Sequence, residues 1–479
     1  MSLLFGISAV RTGAALLLAT GLTAFGCSRE SGMTGSRGSA LRDDTQTRAG
    51  VAAVGAQLES YLSAAEKRWG FQGSVLVARG NEAVLEKGLG LADLEKGLPI
   101  VPETKFQIAS VTKVFTAVAV MKLVEDGKIG LDEPAARYLP EYKDILGQDI
   151  TIGHLLSHSS GLPALPPGSA GRLNVTEPVE PRALIDAIRG QGPLFPPGRE
   201  ARYSNIGYVL LGLAIEKVTG EGYYDWLGGH VLEPLEMNDT GMNASYPALL
   251  GFARGYVEDR GGTLRPAPFI HPTWGYSAGA LYSTGEDLRK FDRALASPGF
   301  LTAGSLDEMF RPRNRTFSYG WLVGRAFGRR TEAHGGGGPG FSAWIERWPE
   351  DEVFVAVLSN VTSSPAGEIG RGLAAAVFGR AFAMPGKRIP VPVPPAELKE
   401  FEGGYRLEDG EIRRIVLEGG GLFVSRGDGP KQPILPYAQD RFFFAMDKGA
   451  FIRFVRDARG RVTGHIFHQL GVDEPAQRI

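Results

Sequence analysis

Between Phe106 and Glu125 the apolar residues Val114, Val118, Met121 and Val124 recur at three and four positions, the period of a buried helical face. The run stops at Asp126-Gly127, where glycine suits a C-terminal cap. Upstream, an amphipathic pattern from about Val54 to Arg68 predicts another helix, and Gly73 to Gly88 reads as two strands turned at Gly80-Asn81. From Leu131 to Glu180 proline and glycine break the pattern, so this stretch is expected to be a loop-rich layer with one short helix around Ile150 to Ser157. A proline-glycine turn then delivers Tyr203, Ser204 and Asn205 to the start of an apolar helix running to Gly220, with Ser204 or Asn205 as its N-cap. Thr284 caps a further helix with Asp287 in its first turn. Tyr319 to Gly324, Phe341 to Trp348 and Val353 to Ser359 read as consecutive strands and Ile369 to Phe378 as a closing helix, which together predict an antiparallel sheet.

After Pro385 the pattern changes. A proline-rich linker, Pro385 to Pro395, leads to short apolar runs at Ile412 to Leu417, Leu422 to Ser425, Arg441 to Ala445, Phe451 to Val455 and Val462 to Phe467. Glycine and aspartate turns divide them, the pattern of a small all-β domain, barrel-like, with no catalytic motif. The expected division is a leader at 1–27, a flexible tether at 28–50, a main domain at 51–384, a linker at 385–396 and a C-terminal β domain at 397–479.

Composition narrows the classes. A chain of 479 residues, 43% hydrophobic and 22% charged, can bury more than one core, and a net charge of −1 gives no reason to expect nucleic acid as a partner. Cys27 is the only cysteine, so no intrachain disulfide can form. It follows a short apolar run, Thr12 to Gly26, that Arg11 precedes and that is too short for a membrane-spanning helix, which matches a secretory signal. The run resembles a bacterial lipoprotein signal. That resemblance implies lipidation of Cys27, membrane association through the lipid anchor and, with Ser28 next to it, a periplasmic protein held at the outer membrane; cleavage by an ordinary signal peptidase and an uncleaved membrane anchor are the alternatives.

Candidate chemistry starts at Ser110 and Lys113, whose three-residue spacing puts both side chains on one side of a helix. A serine hydroxyl becomes a useful nucleophile when a base takes its proton, and a lysine can do so once burial lowers its pKa. Two further pieces follow in order, Tyr203-Ser-Asn205 and His334-Gly-Gly-Gly-Gly-Pro-Gly-Phe341, with Leu155-Leu-Ser-His-Ser-Ser-Gly-Leu-Pro163 and Ser277-Ala-Gly279 between. The ordered set resembles the penicillin-recognising serine hydrolases, close to class C β-lactamases and their esterase and D-amino-acid peptidase relatives, over roughly Leu58 to Phe382.

That resemblance implies an α+β fold in which an antiparallel sheet is flanked by helices and joined by a helical, loop-rich subdomain. It implies Ser110 as nucleophile, Lys113 as its proton partner and Tyr203, as phenolate or through its hydroxyl, as relay to the leaving group and the deacylating water. Asn205, His334 and Gly336 would contact substrate, the N–H groups of Ser110 and Gly337 would form the oxyanion hole, and no metal or cofactor is needed. The family's β-lactamases carry lysine where this chain has His334; a histidine charged only part of the time near neutrality points towards the esterase and peptidase relatives. The expected reaction is cleavage of a small-molecule ester, peptide or β-lactam through an acyl-Ser110 intermediate. A true β-lactamase and a non-hydrolytic penicillin- or peptide-binding protein are the alternatives. Gly275-Tyr-Ser-Ala-Gly279 also matches a nucleophile elbow and His334-Gly-Gly-Gly337 a lipase oxyanion loop, but their order is reversed from that of α/β-hydrolases. His154 and His158 lack the glutamate of a zinc-protease motif and read as structural histidines.

Overall fold

The computed structural model describes residues 54–479 apart from 164–173, 243–250, 260–261, 298, 315, 383, 387, 409, 428, 430, 445–446 and 470–471. The leader, Cys27 and the tether lie outside the described residues. Six strands form the central sheet: β1 (Gly73–Arg79), β2 (Glu82–Leu89), β3 (Leu322–Ala326), β4 (Arg329–Gly338), β5 (Phe341–Trp348) and β6 (Val353–Ser359). Their order is β2-β1-β6-β5-β4-β3, every pair antiparallel, with Val77 opposite Val355 and Trp344 opposite Val357.

The central strands are apolar without alternation because both faces of the sheet are covered. Leu76, Ala78, Phe354, Ala356 and Leu358 enter one core, and their neighbours Val75, Val77, Val353, Val355 and Val357 enter the other. The second core is closed by helix α1 (residues 54–69) and the C-terminal helix of this domain, and the first by α2 (Thr112–Glu125), α3 (Asn205–Thr219) and α4 (Gly285–Ala296). Helix α2 is buried around nearly its whole circumference, so the expected stripe under-reads it: Leu123 is fully buried and Val124 only partly. Ser204 settles the N-cap of α3 by accepting from the Gly207 N–H.

Three readings need correction. The strand expected at Tyr319 begins at Leu322, because Gly320, with φ +81, turns the chain where an added Cβ would lie 2.6 Å from Ala117 Cβ. Strand β4 shows in the sequence only at its glycine end, where Gly337 reads as part of an edge strand; its start at Arg329 went unread, since Arg329-Arg-Thr-Glu does not alternate and Thr331 is its one β-former. The loop-rich layer holds not only the helix at Ile152–Leu156 but also Ala135–Tyr138 and Lys143–Leu146, and a further short helix, Pro181–Asp186, follows it; each is too short to show a helical period.

The C-terminal part is a closed barrel of eight antiparallel strands, β7 (Gly403–Leu407), β8 (Ile412–Glu418), β9 (Gly421–Arg426), β10 (Gln432–Ala438), β11 (Arg441–Phe444), β12 (Asp447–Arg456), β13 (Val462–Gln469) and β14 (Val472–Arg478). Sequence pattern found five of them. The missed β7, β10 and β14 carry Gly403-Gly404, Pro433 with Pro436, and Pro475, residues that argue against a strand when read alone. The linker is pinned to the main domain where Trp69 Nε1 donates to Gly386 O at 3.0 Å and Arg68 to Pro385 O at 3.3 Å.

Helix α5 (Ala366–Val377) docks on the sheet through charge as well as apolar contact. Glu346 on β5, fully buried, accepts from Arg371 Nε at 2.9 Å on both oxygens, from Thr331 at 2.7 Å and from the Trp344 indole at 3.1 Å. Removing one partner of such a pair strands the other, so Arg371→Leu should cost about 3–5 kcal/mol; the urea midpoint of unfolding measures it, and a loss below about 1 kcal/mol would contradict the assignment.

Candidate active site

Ser110 lies in a single 3-10 turn, Ala109–Val111, immediately ahead of α2 rather than inside it. Ala109 holds φ +44, a left-handed conformation that a side-chain-bearing residue adopts only when its surroundings enforce it. Two anchors enforce it here: Ile108 N–H donates to Leu281 O, and the Val111 N–H closes back on Ile108 O.

Opposite this turn runs β4. Strand β3 pairs with β4 only from Arg329 to Ala333, so His334 to Gly338 forms an open outer edge of the sheet. The close approach depends on glycine. A Cβ on Gly336 would lie 2.0 Å from Ile108 O, whereas one on Gly338 would make only ordinary contact, 4.0 Å from Ala109 Cβ. Gly336 is buried against the nucleophile turn, whereas Gly337 is exposed, so Gly337 is the glycine open to a ligand.

Lys113, in the first turn of α2, is fully buried. Its Nζ donates to Asn205 Oδ1 at 2.8 Å and to Ala278 O at 2.6 Å, and stands 3.3 Å from Ser110 Oγ. Burial pulls its pKa well below the ordinary lysine value, with no carboxylate to restore it. Tyr203 lies beside the same amine, 4.7 Å from ring centroid to Nζ. Burial pushes its phenol above the ordinary value although neighbouring Ser110 pulls the other way, and the buried Oη makes no hydrogen bond of good geometry. Burial thus favours the protonated phenol over the phenolate.

His334 also departs from expectation. It is 4% exposed, and burial beside Lys113 lowers its pKa to about 3, so it is neutral rather than partly charged near neutrality. Its Nδ1 lies 2.7 Å from Gly335 O, which can only accept, so Nδ1 carries the proton and Nε2 is left as an acceptor. Asn205, with Oδ1 engaged by Lys113, keeps its Nδ2 as donor. The fold thus brings Ser110, Lys113, Tyr203, Asn205, His334, Gly336 and Gly337 to one place.

The rival elements do not form a site. Ser277 is fully buried and donates to Tyr208 O at 2.8 Å, and the reversed elbow around it serves to present Ala278 O to Lys113. His154 caps its own helix through Thr151. A cleft of about 500 Å³ lined by Asp292, Glu332 and Arg347 shares no residue with the Ser110 site, and its carboxylates are already paired with Arg347.

With this geometry in view, residues 57–378 match the Beta-lactamase family, and residues 387–478 match a domain of unknown function, DUF3471. The chain belongs to the Beta-lactamase family. It is 27% identical over 398 residues to penicillin-binding protein 4* of Bacillus subtilis, covering 78% of this chain and 88% of that protein. Among solved structures it resembles the octameric penicillin-binding protein homologue from Pyrococcus abyssi, at 26% identity and TM-score 0.64 over 88% of this chain and 99% of that one. It also resembles the D-amino acid amidase from Ochrobactrum anthropi SV3, at 26% identity and TM-score 0.59 over 68% and 98% of the two chains. As a Beta-lactamase family member the protein is a serine hydrolase.

Sequence reading missed two contributors to this Beta-lactamase family site. Ala278 acts through a backbone carbonyl, which no side-chain pattern reveals. His158, read as structural, packs against Tyr203 at 4.4 Å between ring centroids; its place in the Leu155-to-Pro163 motif was the available signal.

Two predictions follow from this packing. Gly336→Ala should force β4 away from the nucleophile turn, costing about 1–3 kcal/mol by thermal melting and lowering ester hydrolysis at least about tenfold; unchanged melting and rate would refute the close approach. Three buried histidines, His158 with its pKa well below the usual value and His334 and His465 near 3, must stay neutral in the folded chain. Below about pH 6.5 the unfolded chain binds protons that the folded chain refuses, so stability should fall as pH drops from about 6.5. Urea unfolding at stepped pH reads this, and a flat profile from about pH 7 to 5 would contradict it.

Proposed function

We propose that this protein cleaves an ester or amide through a covalent acyl-Ser110 intermediate, with Lys113 as the base. The observation that carries the reading is the environment of Nζ. A neutral amine has two N–H bonds and one lone pair; Asn205 Oδ1 and Ala278 O take the two N–H bonds, and the remaining direction is left for Ser110 Oγ. Lys113 takes the Ser110 proton as Oγ attacks the substrate carbonyl carbon, and the new oxyanion is held by the N–H groups of Ser110 and Gly337. The proton then passes from Lys113 through the Tyr203 hydroxyl to the leaving oxygen or nitrogen as its bond to the carbonyl carbon breaks. Water, giving its proton back along the same path, releases the acid and restores Ser110.

Substrate class follows from charge. His334 presents a neutral acceptor where a lysine would present a cation, and Asn205 Nδ2 presents a donor, so neutral acyl esters and amides suit the cleft better than a β-lactam carboxylate. The likeness to a D-amino acid amidase supports the amide side of this reading. Stable acylation by penicillin without release would instead favour a penicillin-binding protein.

The test is a panel of p-nitrophenyl esters, D-amino-acid amides and nitrocefin, run with variants. Ser110→Ala and Lys113→Met should abolish turnover, and Ser110→Ala should abolish fluorophosphonate labelling. Tyr203→Phe should lower kcat by about 10²–10⁴-fold with the fold intact. In the parent, kcat/KM should rise with pH through the Lys113 pKa, which burial places well below the usual lysine value. Turnover surviving Ser110→Ala, or nitrocefin cleaved faster than every ester and amide, would overturn the proposal.

A further inference from the structure

The peptide N–H groups on either side of Tyr203 both run to one residue of another segment. Arg202 N–H donates to the His158 carbonyl at 2.9 Å, and Ser204 N–H donates to His158 Nδ1 at 3.2 Å. The imidazole between these bonds packs on the Tyr203 ring, centroids 4.4 Å apart and planes at 33°. It also meets Tyr208 at 5.1 Å and Phe317 at 4.8 Å, and is 2% exposed. His158 holds φ +57, an unfavourable conformation for a residue with a Cβ, which the bond to its carbonyl helps to keep in place.

Tyr203 needs such a holder. Its Oη makes no hydrogen bond of good geometry, so its height above Lys113 is set by what grips its backbone and the face of its ring. Because Nδ1 accepts, the His158 proton sits on Nε2 and the ring is neutral; a charged ring would lose that acceptor and put a cation behind Tyr203. Resting on the relay role proposed for Tyr203, we infer that His158 is a positioning residue of the reaction, clamping the backbone on both sides of Tyr203 and seating its phenol between Ser110 and Lys113.

A double-mutant cycle tests this. His158→Asn tolerates a left-handed backbone and can offer an acceptor but has no ring; His158→Phe keeps a ring and loses the acceptor. With a p-nitrophenyl ester, each should lower kcat about 10–100-fold, while KM changes less than about threefold and fluorophosphonate still labels Ser110. In a Tyr203→Phe background the same substitutions should change kcat less than about twofold, because the residue they disturb is already disabled. Full kcat in both single variants, or losses that add in the double variants, would overturn the inference while leaving the acyl-Ser110 reading intact. Unchanged kcat in Tyr203→Phe alone would overturn the relay and this inference together. Should neither variant fold, the imidazole ¹⁵N shifts of the unsubstituted protein decide: an Nε2–H tautomer is expected at about pH 7, and an Nδ1–H tautomer or an imidazolium overturns the clamp.

Discussion

Lys113 carries its nitrogen where no water reaches it, and a buried amine must find acceptors or lose its proton. Both happen here. Two acceptors on different elements, Asn205 at the start of α3 and Ala278 before α4, hold the nitrogen, while burial without a carboxylate makes the neutral form accessible. The two acceptors come from segments 92 and 165 residues away from Lys113 in sequence, so this arrangement of the amine exists only once the first core has closed around α2.

The sheet supplies the other half of the site, and glycine sets the distance between the halves. Past Ala333 strand β4 is paired only with β5, and Gly336 lets its open outer edge come against the turn that carries Ser110. An edge strand normally invites pairing with another chain. Here one side of that edge is covered by the nucleophile turn, which leaves Gly337 open. The strain at Ala109 belongs to the same arrangement, since a relaxed backbone there would change how the turn presents Ser110 to the edge.

How much of this could be read from residues alone depended on the kind of interaction. Periodicity found α2, cap residues at Ser204 or Asn205 and at Thr284 found the starts of α3 and α4, and continuous apolar runs found the two central strands because both faces are covered. Periodicity failed at β4, whose polar start and glycine end are selected by the site and not by a core, and at β10 and β14, where proline interrupts strands that a closed barrel tolerates. The chemistry-bearing side chains Ser110, Lys113, Tyr203 and His334 were visible because motif order survives without coordinates. Their protonation states were not, because burial sets them: His334 was expected to share its charge near neutrality, and the fold holds it neutral to about pH 3.

That neutrality explains how three basic groups can share one pocket. Lys113, His158 and His334 all lie buried; loss of water disfavours each as a cation, and Lys113 when protonated disfavours both histidines further. A proton released inside the pocket therefore has one favourable home, the amine 3.3 Å from Ser110 Oγ. In the proposed mechanism two charged imidazoles would spread that proton, whereas two neutral ones leave a single ammonium, formed during attack, to favour the developing oxyanion. The histidines then contribute shape and hydrogen-bond polarity, one at the sheet edge and one behind Tyr203, without competing for the proton that the reaction moves.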